Sequence, residues 1–283
     1  MRCTHPLTLY RDTQGILSSK SNPTSTPNYI PCGQCRSCRI SRAATWALRM
    51  SHEAQMHNEN SFITLTFNET HCPKSIDKRD IQLFFKRLRK SIYPKKVSYY
   101  ACGEYGDKFN RPHYHACLFG HTFFNKSTSR KVRSHDGFTC YSDSSLSSLW
   151  TYGYSSFSEF TFDTANYVAG YINKKIFGKK WEEHYYDDET GEIKEREFSL
   201  SSRRPAIGKN WFEKYSDDML KRDCYHFNGK PFPIPKYYEK LATHDESKLI
   251  LLENAKASRL LTTDTQYTLD ARALIIEKRN KRK

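Results

Sequence analysis

One run constrains this chain more than any other: Arg111-Pro-His113-Tyr-His115-Ala-Cys-Leu-Phe-Gly120. Apolar and aromatic residues dominate it and a glycine closes it, so it reads as a strand over 113–119. Side chains alternate along a strand, so His113 and His115 share one face and Tyr114 takes the other. The chain is therefore expected to build a sheet with Tyr114 on one side and two imidazoles on the other. Paired imidazoles suit a divalent metal ion. Taken alone, His-x-His fits an ordinary packed or exposed pair equally well.

The neighbouring segments supply the rest of such a sheet. Phe62-Ile-Thr-Leu-Thr-Phe67 reads as a strand with Phe62, Thr64 and Thr66 on one face and Ile63, Leu65 and Phe67 on the other. Residues 97–102 read as a strand antiparallel to 113–119, joined to it through a turn-rich connection, 103–110, that carries Glu104. An amphipathic helix is predicted over 77–92, where Ile81, Phe84, Phe85, Leu88 and Ile92 form one stripe. Another is predicted over 39–58, with Trp46 packing beneath it. Residues 126–148 are serine-rich and read as a loop, followed by a short strand at 155–160. Thr164 can cap a helix over 165–177, with Gly178 as its stop. That helix puts Tyr167 and Tyr171 on one face and Lys174 and Lys175 a turn further on. Residues 187–192 read as a hairpin tip, and 201–212 as a basic, aromatic loop. The chain after Pro235 reads as helical and ends in a basic tail.

Composition narrows the partner. A formal net charge of +15, from Lys+Arg 46 against Asp+Glu 31, attracts polyanions. Aromatic residues, 14% of the chain, are interleaved with the cations, the mixture that stacks bases beside neutralised phosphates. No apolar run reaches the roughly 20 residues of a membrane span, and the start lacks a signal-peptide core. The expectation is a cytosolic protein with no membrane partner. Of nine cysteines, three fall in Cys32-x-x-Cys35-x-x-Cys38, a metal-ligating spacing rather than a secreted disulfide framework. Three thiolates there can hold a structural Zn²⁺, with Cys3, or His5 in its place, as the fourth ligand. Free or redox-active thiols are the alternative. Cys72, Cys102, Cys117, Cys140 and Cys224 read as small buried side chains. The expected organisation is a loop-dominated cysteine-rich arm (1–38), a central domain (39–215) and a helical basic extension (216–283).

A phosphodiester resists nucleophiles because its anionic oxygens repel them, and a divalent cation counters this by neutralising charge and orienting the scissile group. Two histidines and a carboxylate such as Glu104 can hold that ion. Mg²⁺ or Mn²⁺ fits the role, with imidazole ligands leaning toward Mn²⁺. A tyrosine nucleophile conserves the energy of the broken bond in a phosphotyrosine. Packing is the simpler reading of two tyrosines four residues apart.

In order, Phe62–Phe67, then Gly103-Glu104-Tyr-Gly106 with Arg111-Pro-His113-Tyr-His115, then Tyr167-x-x-x-Tyr171-x-x-Lys174 resemble the three motifs of the HUH rolling-circle replication endonucleases. The resemblance is strongest to the initiators of small single-stranded DNA bacteriophages of the microvirus group, of gokushovirus type. It spans roughly residues 1–215, including the cysteine cluster and Arg203-Arg204-Pro-Ala-Ile-Gly208. It implies an α+β fold, an antiparallel sheet of ferredoxin or RNA-recognition type with helices on one face. It implies His113, His115 and Glu104 as metal ligands, Tyr167 and Tyr171 as alternating nucleophiles, and Lys174 as their cationic helper. Arg111, Lys175, Arg203 and Arg204 become DNA contacts. The implied function is nicking and rejoining of single-stranded origin DNA in the host cytoplasm, with host helicase and polymerase as partners. One departure is Tyr114, which stands between the histidines in place of an aliphatic residue and, facing away from the metal, is expected to matter little. The alternatives are a noncatalytic zinc-stabilised single-stranded DNA-binding protein, or a relaxase or transposase of the same chemistry.

Overall fold

The computed structural model describes residues 3–260 except 107–109, 136–137, 172–180, 188–190 and 228. The N-terminal part holds β1 (Leu7–Arg11), β2 (Leu17–Ser18) and β3 (Thr26–Ile30). The body follows with α1 (Arg36–Ala54), β4 (Asn60–Phe67), α2 (Lys78–Ser91), β5 (Ser98–Tyr105), β6 (Pro112–Phe119), β7 (Arg130–His135), β8 (Phe138–Ser142), α3 (Ser144–Leu149), β9 (Gly153–Glu159), α4 (Phe162–Tyr171), α5 (Trp181–Tyr185) and β10 (Phe198–Ser201). The C-terminal part contains α6 (Lys209–Tyr215), α7 (Asp217–Arg222), β11 (Cys224–Phe227), β12 (Lys230–Pro233), α8 (Lys236–Ala242) and α9 (Glu246–Leu260).

The body is α+β: a seven-stranded antiparallel sheet, order β10-β5-β6-β4-β9-β8-β7, with flanking helices. This is consistent with an HUH-type fold. Strand alternation divides its core in two. On one face Ile63, Leu65, Phe67, Tyr114, Ala116 and Leu118 pack with the α2 stripe Ile81, Phe84, Phe85 and Leu88. Each of those stripe residues is almost wholly buried, a gain of about 1.5–3 kcal/mol apiece. On the other face Phe62, Tyr100, Cys117 and Phe119 pack with Ala43, Ala47 and Met50 of α1 and Ala165, Val168 and Ala169 of α4. The expectation of helices on one face is therefore corrected: both faces are covered, α2 on one and α1 with α4 on the other, where apolar residues such as Phe62, Tyr100, Cys117 and Phe119 stand beside the polar residues of the site. Trp46 packs beside the sheet's Tyr100, ring centroids 4.8 Å apart.

Other expectations also change. The 126–148 loop is a hairpin, β7-β8, followed by α3. Asp143 caps α3, accepting from the Ser145 N–H at 2.9 Å, and the Thr128 hydroxyl donates to the same carboxylate at 2.6 Å. α4 begins at Phe162 rather than Ala165. Thr161 is the cap, its hydroxyl accepting from the Thr164 N–H at 3.1 Å while Thr164 Oγ1 accepts from the Thr161 N–H at 2.8 Å. Lys174, Lys175, Phe177 and Gly178, predicted to finish this helix, lie outside the described residues. The predicted tip at 187–192 is flanked by a Tyr186–Ile193 bridge. Trp211 and Phe212, placed in a loop by sequence, ride on α6 and pack with Met219, Leu220, Ile234, Tyr238, Ala242 and Leu252 in a C-terminal core. The helical reading beyond Pro235 divides at Thr243–Asp245, and the basic tail lies outside the described residues. Cys102, Cys117 and Cys140 are buried as expected, whereas Cys72 and Cys224 are only partly so.

The arm is not loop-dominated. β1, β2 and β3 pair as an antiparallel sheet of order β2-β1-β3, with Leu7 opposite Ile30 and Arg11 opposite Thr26. Sequence alternation missed it because no residue from 7 to 31 is buried.

Candidate active site and metal centre

Register places the histidines. His113 lies between Glu104 on β5 and Thr66 on β4, and His115 between Cys102 and Thr64. Glu104 belongs to β5 itself, not to the connection that sequence assigned it, so strand pairing fixes its face. Its Oε1 lies 3.0 Å from His115 Nε2, a diagonal contact across the ladder, and both side chains are buried. Thr64 Oγ1 lies 3.0 Å from His115 Nδ1. The His115 ring is thus held at both nitrogens. His113 Nδ1 bonds the Pro112 carbonyl oxygen at 2.9 Å, which fixes that nitrogen as the donor and leaves Nε2 with its lone pair. Burial, with Arg111 and His115 nearby, holds His113 below the usual histidine range, so it is neutral at pH 7.

Two glycines make room. A Cβ on Gly106 would stand 2.9 Å from His113 Nε2, and one on Gly103 would meet the Phe198 ring at 2.8 Å and Tyr114 at 3.1 Å. Gly106 and Thr64 were not singled out as site residues from sequence, although the Gly-Glu-Tyr-Gly spacing and the hydroxyl face of the 62–67 strand were visible there. Tyr114 matters more than expected. Fully buried on the α2 face, it donates its hydroxyl proton toward the Asp77 carbonyl at 2.9 Å and accepts from the Asp77 N–H at 3.1 Å, which ties down the start of α2.

α4 lies across the same face. The Tyr171 ring stacks on His115, centroids 4.9 Å apart and planes 1° from parallel. Tyr167 meets His115 edge-on at 5.6 Å and Tyr171 at 4.7 Å. Phe138 of the β7-β8 hairpin lies 6.1 Å from Tyr167. Burial, then the Glu104 carboxylate, then the bond to Tyr167 push the Tyr171 phenol well above its ordinary range, so it is protonated here. The His113 and His115 rings are 6.5 Å apart at 85°. Their donors and Glu104 share a face without converging as a closed metal site would require.

The fold brings Arg111 to this end of the sheet, near His113, with Nη1 3.4 Å from the Phe67 carbonyl oxygen. It does not bring Arg203 and Arg204 there. They follow Ser201, which pairs with Tyr100 four residues from Glu104, about 14 Å away along the strand. Lys174 and Lys175 lie outside the described residues.

The cysteines do converge. The Sγ atoms of Cys3, Cys32, Cys35 and Cys38 all lie within 4.8 Å of one another, the only such group of three or more metal-ligating side chains among the described residues. Four sulfurs around one tetrahedral zinc at about 2.3 Å stand about 3.8 Å apart. Cys3 and Cys35 are separated by 3.8 Å. Backbone N–H groups already point at sulfur, Cys32 toward Cys3 Sγ and Cys35 toward Cys32 Sγ, both at 3.3 Å. Burial pushes the Cys35 thiol up, but N–H groups of Cys38 and Thr4 overcome it and bring the thiol down to about 5. Burial and repulsion from neighbouring sulfurs push Cys38 up to about 12. A divalent cation would relieve that repulsion. The cluster can hold a metal ion such as zinc, and Cys3, rather than His5, completes it.

The model of the replication-associated protein ORF2 family matches residues 60–176, which include the histidines, Glu104 and both tyrosines. Replication-associated protein VP4 of Bdellovibrio phage phiMH2K is 32% identical over 251 residues, 84% of this chain and 76% of that protein. Replication-associated protein ORF4 of Chlamydia phage 1 is 30% identical over 247 residues, 82% of this chain and 59% of that protein. Replication-associated protein ORF2 of Spiroplasma virus 4 is 27% identical over 245 residues, 81% of this chain and 72% of that protein. No solved structure matches the chain significantly. With 32% of the aligned residues identical over most of both chains, this protein belongs to the replication-associated protein family of these phages.

Proposed function

We propose that the chain initiates phage DNA replication inside the host cell by nicking and rejoining single-stranded origin DNA through a phosphotyrosine. The observation that carries this reading is the stacking of Tyr171 on His115, with Tyr167 beside both, on the sheet face that also bears Glu104 and His113. His113 Nε2, His115 Nε2 and the Glu104 carboxylate would hold Mg²⁺ or Mn²⁺. Such an ion supplies charge neutralisation at the scissile phosphate. One tyrosine Oη attacks phosphorus and the bond to O3′ breaks. The phenol gives up its proton, the leaving oxygen takes one up, and the new 3′-OH can prime a host polymerase. With the Glu104 charge balanced by a cation, Tyr171 loses the repulsion that holds its proton. The second tyrosine can repeat the attack after one round and release a closed circle. In this reading Lys174, Lys175 and Arg111 lie by the cleavage site, and Arg203 and Arg204 contact the strand farther along. Residues 1–38 form a metal-pinned arm, 39–215 the nuclease and 216–283 an extension, with host helicase a further partner.

The test incubates the protein with a labelled single-stranded origin oligonucleotide and Mn²⁺ and looks for a protein-linked product on a denaturing gel. The wild type gives the adduct and the Tyr167→Phe, Tyr171→Phe double variant does not. An adduct from the double variant refutes the nucleophile assignment. Binding without any adduct from the wild type leaves a noncatalytic DNA-binding protein as the better reading.

A further inference from the structure

The N-terminal sheet stands without a core. A three-stranded sheet normally holds together by packing one apolar face, yet nothing from residue 7 to 31 is buried. Its anchor is at its base, where Cys32 follows β3 and joins Cys3, Cys35 and Cys38. An element fastened this way, with Leu9, Tyr10, Asn28 and Ile30 half-buried and no residue fully buried, leaves surface available to a partner.

Its residues specify which partner. Register places Thr8, Tyr10, Pro27 and Tyr29 on one face, with Ser18 beside Tyr10. Tyr29 is 59% exposed. Through residue 52 the sequence has seven basic residues (Arg2, Arg11, Lys20, Arg36, Arg39, Arg42 and Arg49) and a single carboxylate, Asp12. That carboxylate is engaged in its own turn, with Oδ1 accepting from the Gln14 N–H at 3.0 Å and the Ile16 N–H at 2.8 Å. Arg11, Lys20 and Arg36 are exposed around the sheet. A cationic rim around tyrosines on an open sheet matches a single nucleic-acid strand, whose phosphates take the cations and whose bases stack on the rings.

We propose that this sheet is a second DNA-contact surface, separate from the His–Tyr face, that takes a single strand with bases against Tyr10 and Tyr29 and phosphates on Lys20 and Arg36. The inference rests on DNA being the substrate, but not on the tyrosine chemistry.

The experiment uses the full-length, zinc-loaded Tyr167→Phe, Tyr171→Phe chain, so that no cutting occurs, and follows a fluorescent single-stranded oligonucleotide by anisotropy. Adding Tyr10→Ala and Tyr29→Ala is expected to weaken binding by at least about fivefold per stacked base. Adding Lys20→Gln and Arg36→Gln instead should make the plot of log affinity against log salt shallower by about 1.4, two phosphates' worth for a single strand. Zinc content and circular dichroism identify any variant that fails to fold. Should the tyrosine variant be lost that way, the charge variant decides. Affinity and salt slope equal to the parent's overturn the proposal, the result also expected if the sheet docks a protein. A parent chain that binds no single strand at all overturns the DNA reading itself.

Discussion

Replacing Thr64 with valine removes one hydroxyl from beneath His115 while keeping the side chain's shape. When His115 Nε2 takes a metal ion, its proton resides on Nδ1 and donates to Thr64 Oγ1, 3.0 Å away. The ring is buried, so valine leaves that N–H without an acceptor and without water to replace it. An unsatisfied buried donor costs about 1–3 kcal/mol, a factor of roughly 5 to 150 in an equilibrium constant. That range brackets the 10- to 100-fold losses typical when a ligand's outer hydrogen-bond partner is removed. The expected effect of Thr64→Val is a Mn²⁺ midpoint for adduct formation raised about tenfold, with most of the adduct recovered at saturating Mn²⁺. Thr64→Ser, which restores the hydroxyl, should behave as wild type. Adduct assays across a Mn²⁺ titration, paired with thermal unfolding of the metal-free proteins, measure both. An unchanged midpoint in a folded Thr64→Val protein would refute the assignment of His115 as a ligand oriented through Nδ1.

Metal removal should act locally. Chelation, or Cys35→Ser, is expected to abolish hydrogen-exchange protection in residues 7–30, where no packing replaces the lost anchor, while β4, β5 and β6 keep theirs; equal loss in both would show that the thiols serve the whole fold. His52 is buried, stacks on Trp211 at 3.5 Å, bonds Tyr238 through Nδ1, and is pushed down to about 3 by burial. Its folded pKa lies below the unfolded value, so the stability it supports is complete above about 6.5 and declines as pH falls toward 3, by up to about 1.4 kcal/mol per pH unit. Denaturant unfolding from pH 7 to 4.5 should show a shallower pH slope for His52→Phe, which keeps a flat ring on Trp211; identical slopes would contradict the buried neutral histidine. At Gly170 on α4 an added Cβ meets nothing within 4 Å. Gly170→Ala should therefore stabilise the chain by about 0.5–1 kcal/mol, and a lowered melting temperature would show that α4 is packed differently there.

Legibility in the sequence followed burial. β4 and β6 were readable because each has one face against α2 and another toward α1 and α4, so alternation carried information. The α2 stripe was readable for the same reason, and its Asp77 cap, accepting from the Arg79 N–H at 2.8 Å, fixed the boundary. β1, β2 and β3 were not, because an unburied sheet imposes no apolar period. The β7-β8 hairpin was hidden by serines and threonines whose hydroxyls serve Asp143. At the site, the shared face of His113 and His115 followed from the period of a strand. The partnership with Glu104 did not, since it depends on the β5-β6 register and on β5 running two residues past the glycine taken as its end. Cys3 was readable as a fourth ligand from residue type, but the choice of Cys3 over His5 required the β1-β3 pairing, which sequence patterning does not reveal.

α1 connects these separate features. Cys35 precedes its first turn and Cys38 lies within it, so the thiol cluster fixes its start. Ala43 and Ala47 then face Ala165 and Ala169 of α4, and small residues on both sides let the two backbones approach closely. The tyrosine helix therefore rides on α1 as much as on the sheet. Further along, the Arg49 guanidinium lies between the Trp46 and Tyr237 rings, at 4.2 and 4.1 Å, and donates to the Ile207 carbonyl. The Glu53 carboxylate accepts the Gly208 N–H at 2.8 Å. These buried side chains are tied to the backbone of Ile207 and Gly208, the segment leading into α6, so that segment cannot shift without leaving a buried polar group unsatisfied, a costly outcome. One helix thereby carries the thiol cluster at its start, the tyrosine-bearing helix at its middle and the link to α6 at its end. Tyr167 and Tyr171 reach His115 from a helix that packs against α1 as well as against the sheet, so the small side chains of α1 bear on the proposed chemistry along with the ligands.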